Sequence, residues 1–325
     1  MIRDQQQARA AAVTALLSAR KAALMTHVNP DGDTLGSALA LAVGLRQLGA
    51  QVKVCYVDDL PTNLAFLPGY GQLVRADEPP TDVDLIVYVD SSDATRFGDD
   101  HSNGGSLRPR KLNIDHHATN RYFGDVNLVD STAAATGEQV YDLLLALGVQ
   151  IDQSIATCLL TALVTDTRAF RTPSTTPRTL AIASELCGRG ASLSGIVDAV
   201  YHNRSFSTLR LWGLALERMK CESGIAWTEI TDEMQALAGA TAGEGDGVID
   251  LMSSLSQVEA VAVFKTTAGG VKVSLRSTNG LDVASVAALF GGGGHARAAG
   301  CLVSGRLAAV QREVVQCLIA RAAER

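Results

Sequence analysis

Residues 22–38 read Ala22-Ala23-Leu24-Met25-Thr26-His27-Val28-Asn29-Pro30-Asp31-Gly32-Asp33-Thr34-Leu35-Gly36-Ser37-Ala38. An apolar run ends at Thr26, and a tight loop follows that carries His27, Asp31 and Asp33. A helical pattern then runs from about Thr34 to Leu48, where Gly49 stops it. Pro30 and Gly32 break both helix and strand, so side chains of the loop can turn inward. Two more apolar runs end in the same way. Leu85 to Val89 meets Asp90, and Leu112 to Ile114 meets Asp115-His116-His117. Asp166 follows an apolar helix that opens at Ile151. Acidic residues placed just past the carboxyl ends of buried parallel strands gather in one crevice. The donors there are carboxylate oxygens and imidazole nitrogens without cysteine, a set that suits two hard or borderline divalent cations sharing a carboxylate.

Taken singly, each segment has a duller reading. Asp and Asn in such loops often satisfy backbone amides. Asp90 could cap the Ser91-Ser92-Asp93 loop, and Asp166 could be a surface residue at a helix end. Three ionisable groups at one strand end, Asp115-His116-His117, are costly unless they bind something, and the clusters together favour a metal site.

Outward from the first loop, residues 5–20 read as a helix packed alongside the first strand, and Gln51 to Val57 as the next strand. Gly36, Ser37 and Ala38 let the helix after the loop start close to the loop backbone. Strands alternating with helical crossovers imply a mostly parallel sheet covered on both faces. The segment 99–110, with Asn103-Gly104-Gly105 and Pro109, reads as a surface loop, and Ser131-Thr132-Ala133 as the start of a helix to about Leu147. Further helices are expected up to Cys187, near 194–202 and over 206–220. The second half has another periodicity. Gly224 to Ile230 is a strand, and Val258–Thr266 and Val271–Arg276 form a hairpin around Ala268-Gly269-Gly270. Asp282 caps a helix over 283–290, Gly291-Gly292-Gly293-Gly294-His295 follows, and a last amphipathic helix covers Leu307 to Ala323.

Of the 325 residues, 47% are hydrophobic and 19% charged, enough for a sizeable core in two domains of ordinary size. A net charge of −6 argues against a protein that coats long nucleic acid, though not against a short anionic substrate. The six cysteines, among them Cys55, Cys158 and Cys301, form no Cys-x-x-Cys pair and read as small core residues. Met1 to Arg20 lacks an apolar signal core, and no stretch matches a membrane helix, so a cytoplasmic location is expected.

His27-x-Asn-Pro-Asp31-Gly-Asp33, Asp90, Asp115-His-His and Thr165-Asp166 resemble the four signature motifs of the DHH phosphoesterases. Gly291 to Gly294 with His295 and Ala298-Ala299-Gly300 resembles the substrate-binding motif of the DHH-associated C-terminal domain. The compact layout is similar to the subgroup of nano-RNases and pAp phosphatases. The resemblance implies an α/β fold: a phosphoesterase domain over 1–190 with a mostly parallel sheet, a linker over 191–205, and a smaller α/β substrate-binding domain over 206–325 across a cleft. It also implies two metal ions, for which Mn²⁺ is the favoured identity, the first held by His27, Asp31 and Asp90. The second would be held by Asp33, Asp90, His116 and Asp166, with Asp90 bridging. His117 would serve the phosphate and leaving group, and His295, the four glycines and Arg276 the substrate. Arg168 departs from the small residue expected after Asp166-Thr167.

The implied activity is hydrolysis of short single-stranded RNA oligonucleotides and of 3′-phosphoadenosine 5′-phosphate (pAp), by a protein that binds neither long duplexes nor membranes. A homodimer stays open. The alternatives are a phosphodiesterase for cyclic or linear dinucleotides, a manganese pyrophosphatase and a non-catalytic nucleotide-binding regulator. The Gly-rich motif disfavours the pyrophosphatase, and the intact ligand positions disfavour the regulator.

Overall fold

A computed structural model describes residues 2–97 and 109–324. The loop expected over 99–110, with its Asn103-Gly104-Gly105 turn, and His101 lie outside the described residues except for Pro109 and Arg110. The chain divides into two compact units, Met1–Asn203 and Arg204–Arg325.

The first unit contains α1 (Ile2–Ser18), β1 (Lys21–Met25), α2 (Gly32–Gln47), β2 (Gln51–Tyr56), β3 (Val74–Arg75), β4 (Leu85–Val89), β5 (Arg110–Asp115) and β6 (Val126–Val129). It continues through α3 (Thr136–Ala146), α4 (Gln153–Asp166), α5 (Pro177–Gly188) and α6 (Leu193–Val197), with a π-helical turn over Asp198–His202. The six strands form one parallel sheet in the order β3-β2-β1-β4-β5-β6. Every side chain of β4 is buried, as both faces of a covered parallel strand require. The chain runs outward from β1 in one direction to β3 and in the other to β6. Such a reversal opens a crevice between the carboxyl ends of β1 and β4.

Two expectations need correction. Helix α1 lies along the edge strand β6, not along the strand it leads into, and Gln5 donates to the Val129 carbonyl there. Gly36 serves helix packing: a Cβ at this position would lie 2.4 Å from the carbonyl oxygen of Cys158, so α2 can approach α4 this closely only with glycine there. The core of this unit includes Leu35, Leu41, Leu85, Val87, Leu112 and Leu163, all essentially inaccessible. Cys158 is buried within it and Cys55 in a second cluster with Met25, Ile86, Tyr88 and Phe97, and burial pushes their thiols up to about 12 and about 11.

The second unit holds α7 (Phe206–Glu217), β7 (Lys220–Glu222), β8 (Ile225–Ile230), α8 (Asp232–Ala238), α9 (Val248–Met252), β9 (Ala260–Thr267) and β10 (Gly270–Ser277). It ends with α10 (Val283–Leu289), β11 (Gly293–His295), β12 (Ala298–Val303) and α11 (Leu307–Ala323). Its sheet has the order β11-β12-β10-β9-β8-β7 and is antiparallel except between β8 and β9. One face, with Phe264, Val273 and Leu275, packs on α10 and α11. The other, with Ile230, Val261 and Val263, packs on α7, α8 and α9. Asp282 caps α10 by accepting from the backbone of Ala284 and Ser285.

Among the described residues, no helix is long and apolar enough to cross a membrane.

Candidate functional site

Three strand ends deliver the first unit's site. β1 leads through Thr26 to His27, β4 ends at Asp90, and β5 ends in Asp115-His116-His117. α2 contributes from its amino end. Asp31 is its N-cap, and one carboxylate oxygen accepts from the backbone N–H groups of Asp33 and Thr34, both at 3.0 Å. The duller reading of Asp31 as a backbone-satisfying residue therefore holds for one oxygen and leaves the other available. Asp166 is the final residue of α4.

These residues converge. Ligand-type atoms of His27, Asp31 and Asp90 lie within 4.8 Å of one another, and so do those of Asp33, Asp90 and His116. His116 Nε2 faces three carboxylates: Asp166 at 3.5 Å, Asp90 at 3.6 Å and Asp33 at 3.8 Å. Its Nδ1 is 3.2 Å from the Ala133 carbonyl, which assigns the ring proton to Nδ1 and turns the Nε2 lone pair toward the acids. On the other side, His27 Nε2 is 3.6 Å from Asp90, while its Nδ1 lies 2.8 Å from the Val28 carbonyl and 3.0 Å from the Arg96 guanidinium.

Separations of 3.5–3.8 Å are too long for good hydrogen bonds. They match a shared cation. Bonds of about 2.0–2.2 Å meeting at about 90–120° place neighbouring ligand atoms roughly 3.0–3.8 Å apart. Charge points the same way. Asp33 and Asp90 are buried and Asp166 is largely buried, so ionising all three without a cation would be costly. Burial, and then the Asp90 charge, raise the Asp33 carboxyl well above the usual range. Burial, opposed by His116 and reinforced by Asp90, pushes Asp166 up to about 7. Against the same burial, the adjacent His27, His117 and His116 hold Asp90 below the usual carboxylate range. The residues fit a pair of divalent ions with Asp90 between them.

The supporting groups are mostly ones that sequence patterns did not single out. Asp33 accepts from the backbone of Thr136 at 2.7 Å and of Gly137 at 3.0 Å, and from the Ser37 hydroxyl at 3.0 Å. The Thr136 hydroxyl donates to Asp90 at 2.9 Å. The positive end of α3 thus points at the acids. The sequence placed that helix start at Ser131, but Asp130 takes the Thr132 N–H and hydroxyl into a turn, and the helix begins at Thr136. Asp115 is fully buried. It accepts from Asn120 at 2.5 Å and orients His117, whose Nδ1 is 2.6 Å away. Burial opposes protonation of His117, but the Asp115 hydrogen bond and the Asp90 charge outweigh it and push the imidazole up to about 9. Asp90 has a φ of +61°, and Arg168, Ala169 and Phe170 have φ of +49°, +57° and +64°. Non-glycine residues in this left-handed region cluster at functional sites.

In the second unit, the expected substrate residues fall on one stretch of sheet. Gly291 and Gly292 form the turn after α10, Gly293 and Gly294 belong to β11, and exposed His295 ends it. This stretch reads as a loop in the sequence, yet it pairs antiparallel with β12, Gly293 opposite Gly300 and His295 opposite Ala298. Arg276 lies on β10 opposite Ala298, its Nε 3.3 Å from Asp250. His202 is exposed and pairs with Asp198.

Comparison with known proteins matches a stretch of each unit to a family. Residues 21–163 match the model of the DHH family, N-terminal domain, and residues 234–321 match the DHHA1 domain. A bifunctional oligoribonuclease and PAP phosphatase NrnA of Thermus thermophilus is 35% identical over 87% of this chain and 84% of its own. The chain belongs to the DHH family. The NrnA of Bacillus subtilis is 27% identical to this DHH protein over 86% of the chain and 88% of its own. A crystal structure of an exopolyphosphatase-related protein from Bacteroides fragilis superposes with a TM-score of 0.89 at 27% identity, covering 97% of this chain and 96% of that one.

Proposed function

We propose that this DHH protein hydrolyses short RNA oligonucleotides and pAp, with two divalent cations, Mn²⁺ by donor chemistry, bound in the first unit. The protein is a hydrolase of phosphoester bonds, and the NrnA relatives support the substrate class. The observation that carries the reading is His116 Nε2 set 3.5–3.8 Å from three carboxylates while its Nδ1 is tied to a backbone carbonyl. His27, Asp31 and Asp90 would hold one ion and Asp33, Asp90, His116 and Asp166 the other. A mixed imidazole and carboxylate set suits Mn²⁺. Such an ion pair, when bound, supplies an activated water and charge stabilisation at a phosphoryl oxygen.

The chain's own residues do the rest. Asp115 fixes the His117 ring through Nδ1, and the role of hydrogen-bonding the phosphate or handing a proton to the leaving oxygen falls to Nε2 when substrate is bound. Thr136 and the α3 amino end hold Asp90 and Asp33 in their orientations. In the second unit, His295, Arg276 and the tetraglycine strand would bind the nucleotide, the glycines admitting its close approach. The test is to strip the protein with chelator, restore Mn²⁺ and assay pAp, linear dinucleotides and cyclic dinucleotides side by side. Turnover of pAp and linear dinucleotides only after metal is restored is expected. Full activity in excess EDTA, or cyclic dinucleotides as the sole substrates, overturns the reading.

A further inference from the structure

The segment after β5 carries an aromatic side chain that the metal centre does not use. Tyr122 follows His117 by five residues and is 63% exposed, the most exposed aromatic among the described residues of the first unit. Single apolar side chains on a surface are ordinary. This one differs in its backbone, because its φ is +54°. A bulky side chain in the left-handed region is costly, and glycine or asparagine would occupy the position more cheaply. The ring gains little from the fold in return, since most of it lies in solvent. Strain of this kind persists only where the surrounding structure imposes it, and it clusters at ligand sites.

Asn120 imposes it. The Tyr122 N–H donates to Asn120 Oδ1 at 2.6 Å. The Asn120 amide donates in turn to Asp115 at 2.5 Å, and Asp115 holds His117 Nδ1 at 2.6 Å. Hydrogen bonds in series therefore run from the Tyr122 backbone to the His117 ring. The neighbours of Tyr122 are pinned as well. The Arg121 N–H donates to the carbonyl of Ser92, just past Asp90, at 2.9 Å, and its guanidinium pairs with Asp93 at 2.7 Å. Phe123 packs edge-on against Tyr88, their ring centroids 5.2 Å apart. Asn120 and Phe123 turn inward and Arg121 is held by Asp93, which leaves the Tyr122 ring displayed on a backbone anchored to the ends of β4 and β5.

A rigidly mounted, exposed aromatic ring tied to a phosphate-handling histidine suits a planar group joined to that phosphate. We propose that Tyr122 is a stacking platform for a nucleobase of the substrate, next to the phosphate that His117 serves. Every base offers a π-face, so such a platform grips short oligonucleotides without reading their sequence. This rests on the nucleotide-hydrolase reading and adds to it a base subsite built from the first unit's own residues.

The experiment compares full-length parent, Tyr122→Asn, Tyr122→Phe and Tyr122→Trp on a linear dinucleotide and on its abasic analogue. With Mn²⁺, Tyr122→Asn should lower kcat/KM on the dinucleotide roughly five- to hundred-fold, the range for one stacked base, chiefly through KM. The abasic analogue should lose far less, and Tyr122→Phe should retain most of the parent's efficiency. Tyr122→Asn should melt no lower than the parent, because asparagine tolerates the left-handed region. In EDTA, the fluorescence of Tyr122→Trp should be quenched by the dinucleotide and not by the abasic analogue, beyond any change in the parent, whose two tryptophans, Trp212 and Trp227, belong to the second unit. Parent-like kcat/KM in Tyr122→Asn, an equal loss in Tyr122→Phe, or an equal loss on the abasic analogue overturns the proposal. A parent that hydrolyses no dinucleotide, while Tyr122→Trp is still quenched by it, would sink the hydrolase reading and leave the base subsite standing; no hydrolysis and no quenching would overturn both.

Discussion

The tetraglycine looks uniform in the sequence, but its members are not equivalent. A Cβ added to Gly292 would lie 2.2 Å from the Gly300 carbonyl oxygen and 2.8 Å from the Cys301 Cα, both backbone atoms that cannot step aside. A Cβ on Gly293 meets nothing within 4 Å, and its φ lies outside the left-handed region. Gly292→Ala is therefore an overpacking change, costing about 1–3 kcal/mol. At about 3–6 °C per kcal/mol for a unit of this size, melting should fall by roughly 3–18 °C. Gly293→Ala should leave the melting temperature unchanged or raise it, since losing a glycine restricts the unfolded chain by about 0.4–1 kcal/mol. The open space beside Gly293 is where the nucleotide is expected to lie. Its methyl group should weaken dinucleotide binding about ten-fold or more, near 1.4 kcal/mol. Calorimetric melting of both variants, with dinucleotide titration in EDTA, measures both effects. A Gly293→Ala protein that binds like the parent would refute placing the substrate on β11, and a large loss of melting temperature would refute the steric reading.

Other perturbations probe the metal centre and the second unit's architecture. Asp90→Ala should abolish turnover and reduce bound Mn²⁺ from two ions per chain to one or none, measured by elemental analysis after dialysis; retention of two ions would show that Asp90 is not shared. His117→Ala should keep both ions and lose 10²-fold or more in kcat, the usual range for a proton donor; loss of an ion would reassign His117 as a ligand. Glu244 accepts from Ser205, Ser207, Thr208 and the Thr241 backbone, with the Ser205 hydrogen bond leading, and its carboxyl is held below the usual range. A depressed folded value contributes stability above the unfolded value near 4.3, and that contribution is lost as pH falls through the folded one. The melting deficit of Glu244→Gln should thus be full at pH 7 and shrink as pH drops below about 4, and a deficit independent of pH would contradict it.

Much of the first unit was legible because buried parallel strands leave continuous apolar runs. Leu85 to Val89 and Leu112 to Ile114 announced β4 and β5, and the polar residues just beyond them marked the strand ends. β3 and β6 escaped notice: β3 is two exposed residues, and β6 is four residues at an edge, too short for a period. α3 was started too early because the turn over Thr132 carries the same residue types as a helix cap. β11 was hidden by its composition, since glycines carry no β signal and only the β12 backbone makes them a strand.

Local chemistry was enough to single out the clusters His27-Asp31-Asp33, Asp90, Asp115-His116-His117 and Asp166 as candidates, and the family resemblance sorted the proposed ligands from among them. Spacing along the chain could not say which side chains support them. Thr136, Ser37 and Asn120 are ordinary residues that matter through where α3, α2 and the segment after β5 are packed. The same holds for Tyr122, which looks like an ordinary surface aromatic until the Asn120 side chain fixes its backbone in the left-handed region. Apolar pattern and residue chemistry are properties of a segment, whereas register, helix approach and burial belong to pairs of segments and come into being only when those segments pack.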